Sequence, residues 1–121
     1  MVTSKLEDRV VWMIVEGPLL ADEFIPATEK WLSRLDEYDG YITDVRKMTT
    51  ASALDKSRIE DRRKQNDTGK ASAILVRDDF MGTLAKIYIN FTKASDTQFF
   101  TDPEKAKAWI QGHRKKTDSV R

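Results

Sequence analysis

The chain has 121 residues, of which 40% are hydrophobic and 34% are charged. These values predict one soluble globular domain and argue against a second domain or a disordered chain. The 21 basic and 20 acidic residues leave a formal net charge of +1, so the basic excess typical of duplex-binding domains is missing and we expect no nucleic-acid partner.

The cysteine content and the lack of long apolar segments further restrict the class of protein. The chain contains no cysteine, which excludes disulfides and thiolate metal sites and fits a reducing compartment. No apolar stretch approaches the ~20 residues that cross a bilayer, and the N-terminal MVTSKLEDR lacks an apolar signal core. We therefore expect a cytoplasmic protein without a membrane span.

The N-terminal segment predicts an antiparallel hairpin. Two β-prone runs, Val2 to Leu6 and Val10 to Val15, flank the polar EDR. The run VVWMIV is continuously apolar, as in a strand that is covered on both faces, and Gly17-Pro18 ends it. Such a hairpin at the edge of a sheet would allow two copies to pair as a homodimer.

Next, the pattern predicts helix, strand and helix. Apolar residues recur at helical spacing from Glu23 to Leu35, with Asp22 as the expected cap and Pro26 in or before the first turn. YITDVRKM (residues 41–48) predicts a strand. Residues 51–65 favour a helix that is rich in charged residues, with Leu54 and Ile59 as its main apolar anchors.

The second half repeats this alternation. ASAILV predicts a buried strand, and the apolar stripe from Phe80 to Phe91 is the clearest helical signal in the chain. TQFFT predicts a short last strand. Asp102-Pro103-Glu104 is a strong helix start, and Gly112 is the expected end of that helix. We expect residues 1–112 to form the single domain and residues 113–121 to form a basic, flexible tail.

The predicted order is therefore ββαβαβαβα. Alternating strands and helices predict an α/β fold with a mostly parallel central sheet, flanking helices and an antiparallel N-terminal hairpin. In such sheets, binding sites form where the carboxyl ends of strands meet helix N-termini. Two crossings of this kind stand out, at residues 44–52 and 77–82.

Four segments, in this order, resemble the SpoIIAA-like family of small bacterial domains related to STAS and CRAL-TRIO proteins. They are VEGPLLADEF, YDGYITDVRKM, ASAILVRDDFMGTLAKIY and TQFFTDPEKAKAWI, and the resemblance covers nearly the whole chain, roughly residues 2–111. Each motif alone encodes mainly fold, and their order carries the resemblance. It implies a STAS-like fold and a non-enzymatic regulatory or ligand-binding domain. For most members of that family no activity is established.

The resemblance singles out Ser52. In anti-sigma-factor antagonists the matching turn is D-S-S-G-L, whose serine a partner kinase phosphorylates. Here the run is Thr50-Ala51-Ser52-Ala53-Leu54, so Ser52 is kept while three of the five motif residues differ. A helix start favours an anion such as phosphate. Because the motif is degraded, we expect Thr49, Thr50 or Ser52 simply to cap the helix, with phosphorylation of Ser52 as the less favoured alternative.

Polar and apolar residues at the two crossings form the candidate rim for a partner or ligand: Asp44, Arg46, Thr49, Thr50, Arg77, Asp78, Asp79, Phe80, Met81 and Gly82. The charged members would gather at one sheet edge, where they could hold a polar ligand or a magnesium ion. The structural alternative is an Asp44 salt bridge to Arg46 or Arg77, with Asp78 and Asp79 capping the next helix.

A second alternative is a small apolar pocket near Phe80 and Gly82. A glycine inside the first turn of a strong helix costs up to about 1 kcal/mol, and it often marks a close approach of backbone or ligand. CRAL-TRIO relatives bind hydrophobic ligands, so the resemblance implies a lipid-like ligand as one option. Against it, a domain of this size needs most of its aromatic residues for its own core.

Catalysis has little support in the sequence. His113 is the only histidine, and neither a nucleophile–base pair nor a metal cluster can be built around it. The basic helix at residues 51–65 lacks the interleaved aromatic residues of single-strand binders. We therefore predict a regulatory domain that acts by binding an unknown protein partner or small ligand, without catalytic residues, metal or cofactor.

Overall fold

The computed structural model describes residues 1–66, 68–80 and 97–119. The described chain forms five strands, which are β1 (Val2–Glu7), β2 (Val10–Leu19), β3 (Gly40–Ala51), β4 (Ala71–Leu75) and β5 (Thr97–Phe100). It also forms the α-helices α1 (Ala21–Glu29), α2 (Ala53–Gln65) and α3 (Pro103–Ser119), and 3₁₀ helices at Leu32–Glu37 and Asp78–Phe80.

The strands lie in one sheet in the order β1-β2-β3-β4-β5. β1 pairs with β2 in antiparallel fashion, and every later neighbouring pair is parallel. The prediction of an α/β domain with a mostly parallel sheet and an antiparallel N-terminal hairpin is thus confirmed. The helix that the apolar stripe predicts between Phe80 and Phe91 lies outside the described residues, apart from its first residue.

Both faces of the sheet are covered because successive side chains of a strand point to opposite faces. On one face, Val10 and Ile42 pack with Ala106 and Ile110 of α3. On the other face, Val11 and Met13 pack with residues of and after α1. The apolar run VVWMIV therefore serves two cores, as its continuous hydrophobicity predicts.

Strands β2 and β3 continue beyond the end of β4. The last register pair between β3 and β4 joins Asp44 and Leu75. β3 nevertheless pairs with β2 as far as Ala51 and Leu19, with register shifts on the way. The two strands thus form a ribbon that leaves the sheet, and α1 and α2 both begin at its tip. This ribbon tip positions the site described below.

The first predicted helix is divided in two. α1 ends at Glu29, and a 3₁₀ helix follows from Leu32. Between them the buried Trp31 donates its indole N–H to Ser4 Oγ (3.2 Å), and its carbonyl accepts from the Tyr38 hydroxyl (2.9 Å). Because the Trp31 ring is held against the sheet, the chain turns there, and α1 does not continue to Leu35 as predicted.

Two local predictions for α1 are also wrong. Pro26 lies inside the helix rather than in or before its first turn, and the N-cap position is Leu20 rather than Asp22. Leu20 has no side-chain group that could accept a hydrogen bond from the helix start. The acceptor comes from α2 instead, through a contact between distant segments that local patterns do not encode.

The start of α3 agrees with prediction, and its end does not. The Glu104 N–H donates to Asp102 Oδ1 (2.9 Å), so Asp102 caps the helix as expected. The helix then continues past Gly112 to Ser119. A single glycine weakens a helix by about 1 kcal/mol without forcing it to end, and basic residues in the following turns favour a helix C-terminus.

Gly40 gives a stability test of the packing between β3 and α3. A Cβ at this position would lie 2.6 Å from the Ala71 carbonyl oxygen and 2.8 Å from Ile110 Cγ2. Since one of these atoms is backbone, we expect Gly40→Ala to lower the free energy of unfolding by about 1–3 kcal/mol. Urea denaturation followed by circular dichroism would measure the change.

Gly112→Ala is the matched control. A Cβ at Gly112 would meet nothing within 4 Å, and Gly112 lies within α3. The same substitution should therefore raise the free energy of unfolding by about 0.5–1 kcal/mol, through helix propensity alone. Equal effects of the two substitutions would contradict the tight contact at Gly40.

Candidate functional site: the β3–α2 corner

The corner between β3 and α2 is built around Ser52. Its extended backbone (φ −71°, ψ 155°) leaves the strand, and its side chain caps α2 by accepting from the Asp55 N–H (3.0 Å). The Ser52 hydroxyl in turn donates to Asp55 Oδ2 (2.6 Å). Ser52 thus has the predicted capping role, and its hydroxyl acts both as a hydrogen-bond acceptor and as a donor.

Asp55 also holds the start of α1. Its Oδ1 atom accepts from the N–H of Ala21 (2.9 Å), which is the first residue of α1. The N-termini of α1 and α2 therefore meet at one carboxylate, and both helix dipoles favour its negative charge. The bonds from the Ser52 hydroxyl and then from the Ala21 N–H lower the pKa of Asp55 below its usual range.

Ion pairs continue the contact between α1 and α2. Arg58 Nη2 lies 2.8 Å from Asp22 Oδ1, and Arg62 donates through Nε to Glu29 Oε1. Asn66 Nδ2 donates to the same Glu29 oxygen (3.4 Å). The bond from Arg62 is the main cause of a lowered pKa at Glu29. The acidic side of α1 thus faces basic side chains of α2.

Exposed apolar side chains flank this polar centre. Leu54, in the first turn of α2, is 71% exposed, and Leu20, at the start of α1, is 41% exposed. Pro18 and Ala53 are exposed too. Because the Ala21 N–H contacts Asp55, the two helix starts and their leucines belong to one region of the surface. We call Pro18, Leu20, Ala53 and Leu54 the corner patch.

The predicted rim residues fall into two groups. Asp44 lies level with the end of β4, and Arg77, Asp78 and Asp79 follow that strand. Thr50 lies six residues beyond Asp44 on the ribbon, which corresponds to about 20 Å of strand. The exposed Thr49 and Thr50 therefore accompany Ser52 and not the charged residues after β4.

The charged group consists largely of local pairs. Arg46 donates through Nε to Asp44 Oδ1 (3.0 Å) and through Nη2 to Oδ2 (2.9 Å). Arg77 Nε lies 3.6 Å from Asp79 Oδ1. Asp78 and Asp79 belong to a 3₁₀ helix that ends at Phe80. Within the described ranges, no three acidic or histidine side chains are grouped as metal ligands.

The apolar pocket predicted near Phe80 and Gly82 stays a prediction, because Met81, Gly82 and the Phe80 side chain lie outside the described residues. A different cleft, of about 550 Å³, opens beside the β1–β2 turn and α3. Its lining is mostly charged or polar, with Asp8, Arg9, Glu104, Lys107, Ala108 and Gln111. In the part of the chain that the structure describes, no helix is long and apolar enough to cross a membrane.

Asp55 is the residue of this corner whose role the sequence did not reveal. The spacing of Ser52 and Asp55 matches a capping box with Asp in place of Glu. This local pattern indicates the contact between Asp55 and Ser52. The hydrogen bond to Ala21 joins residues 34 positions apart, and no local sequence pattern predicts it.

The lowered pKa of Asp55 gives a pH prediction. Its folded-state pKa lies below the unfolded value, so its contribution to stability is present above about pH 4 and is lost as the pH falls through the folded pKa. We expect Asp55→Asn to be less stable than wild type near neutral pH, and the difference to shrink on acidification to about pH 3. Urea titrations at several pH values would measure it.

Asp61→Asn serves as the control, because Asp61 is an exposed acid of the same helix. Its stability relative to wild type should change little across the same pH range. A stability gap for Asp55→Asn that stays constant from neutral to acidic pH would contradict the ionised carboxylate as the link between the two helices.

Comparison with known proteins bears on the fold. No model of a protein family matches the sequence, and no curated protein matches it. Among solved structures, an uncharacterized DUF3478-family protein with a SpoIIAA-like fold from Shewanella loihica PV-4 matches with a TM-score of 0.66 and 14% identity. The match covers 91% of this chain and 92% of that chain.

The anti-sigma factor antagonist SpoIIAA, in its unphosphorylated form, matches with a TM-score of 0.64 and 10% identity. That match covers 93% of this chain and 98% of SpoIIAA. At such identities the likeness concerns the fold, and it confirms the resemblance that the four ordered motifs indicate. The chain has a SpoIIAA-like, STAS-type α/β fold.

Proposed function

We propose that this protein is a regulatory protein-interaction domain that binds a partner through the β3–α2 corner. It acts by binding, and the proposal requires no catalytic group, metal or cofactor. One of its structural neighbours, SpoIIAA, is an anti-sigma factor antagonist. By analogy of fold, we assign a role in protein recognition of the same general type.

The observation that carries the proposal is the exposure of Leu54. A leucine that is 71% exposed in the first turn of a helix contributes little buried apolar surface to its own domain. It lies beside a rigid polar centre, where the Ser52 and Asp55 side chains are fixed by hydrogen bonds. Interfaces favour such an arrangement, in which an apolar anchor stands among ordered polar groups.

The hydrophobic-ligand alternative is less well supported. The cleft found in the described part of the chain is lined mainly by charged side chains, including Asp8, Glu104 and Lys107. A lipid-like ligand requires a predominantly apolar lining. The corner patch combines exposed apolar residues with hydrogen-bonded polar groups, which suits a protein surface better than a small hydrophobic ligand.

Leu54→Asp tests the proposed surface. Asp is well accepted in the first turn of a helix, so the variant should fold, while burial of a charge in an apolar contact should weaken partner binding at least about tenfold. Affinity capture from a lysate of the source organism, quantified by mass spectrometry, would identify proteins that wild type retains and Leu54→Asp loses. Their affinities would then be measured with purified proteins.

Leu35→Asp is the matched control, since Leu35 is also an exposed leucine (37%) but lies in the 3₁₀ helix after α1. A partner that uses the corner should bind this variant as tightly as wild type. Identical partner sets for both leucine variants and wild type would refute the corner as the binding surface.

Phosphorylation of Ser52 remains a secondary proposal. The side chain is exposed at a helix N-terminus, which favours a phosphate. However, a phosphoryl group would add a charge of about −1.5 to −2 beside the Asp55 carboxylate and would remove the hydroxyl donor that Asp55 uses. Modification would therefore loosen the junction between α1 and α2 and change the shape of the partner surface.

Intact mass spectrometry after incubation with ATP and lysate would test this modification. Modification at Ser52 would add a single phosphate to wild type and none to Ser52→Ala, and Ser57→Ala is the control for another exposed serine of α2. Absence of added phosphate, or a phosphate that persists in Ser52→Ala, would remove phosphorylation from the proposed function and leave the binding proposal in place.

A further inference from the structure

Helix α2 is attached to the domain in an unusual way. Its 13 residues include none that is buried, and Ile59 is only partly covered. Within the described residues, its main packing partner is α1. Most helices of globular proteins are held by an apolar stripe that faces the core. α2 lacks such a stripe, so other interactions must hold it in place.

Polar links to α1 contribute to that attachment. Asp55 accepts from the Ala21 N–H, and two ion pairs, Arg58–Asp22 and Arg62–Glu29, join the helices farther along. The Arg58 and Asp22 side chains are 47% and 82% exposed. Exposed ion pairs are individually weak, and salt screens them, since the Debye length falls from about 30 Å at 0.01 M to about 3 Å at 1 M ionic strength.

Detachment of α2 would also unfold it. An isolated helix of this length is marginal in water, even when its sequence favours helix formation. If the links to α1 open, the backbone N–H groups of α2 therefore lose their hydrogen bonds and exchange with solvent. The sheet need not take part, because β2 and β3 pair with each other independently of α2.

We propose that α2 is a salt-sensitive switch element, which detaches from α1 and unfolds locally while the sheet stays folded. Opening releases Asp55 from Ala21 and removes the Ser52 cap, so it changes the whole β3–α2 corner. Ionic conditions around the protein thereby set the fraction of molecules in which the corner is formed. This inference concerns the intrinsic behaviour of the fold and does not depend on the proposed partner binding.

Hydrogen–deuterium exchange at two salt concentrations tests the proposal. Between about 0.05 M and about 0.5 M sodium chloride, the amides of α2 should exchange roughly threefold to tenfold faster, because the ion pairs are screened. The amides at the centre of β3, residues 41–44, should keep their protection. Arg62→Gln should reproduce the faster exchange of α2 at low salt and show a smaller response to added salt.

Lys64→Gln is the matched control. It removes one positive charge two residues away on the same helix, and no ion pair of Lys64 occurs among the described residues. Its exchange should stay within about twofold of wild type. Salt-independent protection of α2, equal behaviour of the Arg62→Gln and Lys64→Gln variants, or equal acceleration in α2 and β3 would each overturn the proposal.

Discussion

The Asp55 carboxylate is the contact on which the arrangement of α1 and α2 depends. Ala21 is fully buried, so its N–H cannot donate a hydrogen bond to solvent water. An unsatisfied buried donor costs about 1–3 kcal/mol. Asp55 satisfies it while binding the Ser52 hydroxyl with its other oxygen. One side chain thereby fixes where two helices begin, and the rest of the corner follows from that fixed point.

The ribbon of β2 and β3 explains why Leu20 and Leu54, which lie beside this junction, are exposed. Had both strands ended level with β4, the helix starts would lie against the sheet edge and their leucines could be covered. Because the strands continue to Leu19 and Ala51, both helices begin beyond the part of β3 that pairs with β4. The fold thus compensates with polar links for the apolar packing that α2 lacks, and Leu54 stays exposed.

The sequence predicts the sheet better than it predicts the corner. The apolar runs of β2 and β4 and the cap at Asp102 are local signals, and the structure contains them as expected. The break after α1 depends on Trp31 reaching Ser4, and the start of α1 depends on Asp55. Both contacts join segments about thirty residues apart, and neither periodicity nor capping preference carries information at that range.

The folded structure also changes the interpretation of Ser52. As a remnant of a phosphorylation motif, it would be a hydroxyl awaiting modification. In the folded chain, its oxygen accepts from the Asp55 N–H and its proton is donated to the Asp55 carboxylate. A capping serine is sufficient to account for that residue at this position. The exposed Leu54 next to it has no such internal role, and for that reason an intermolecular contact is the stronger interpretation of the corner.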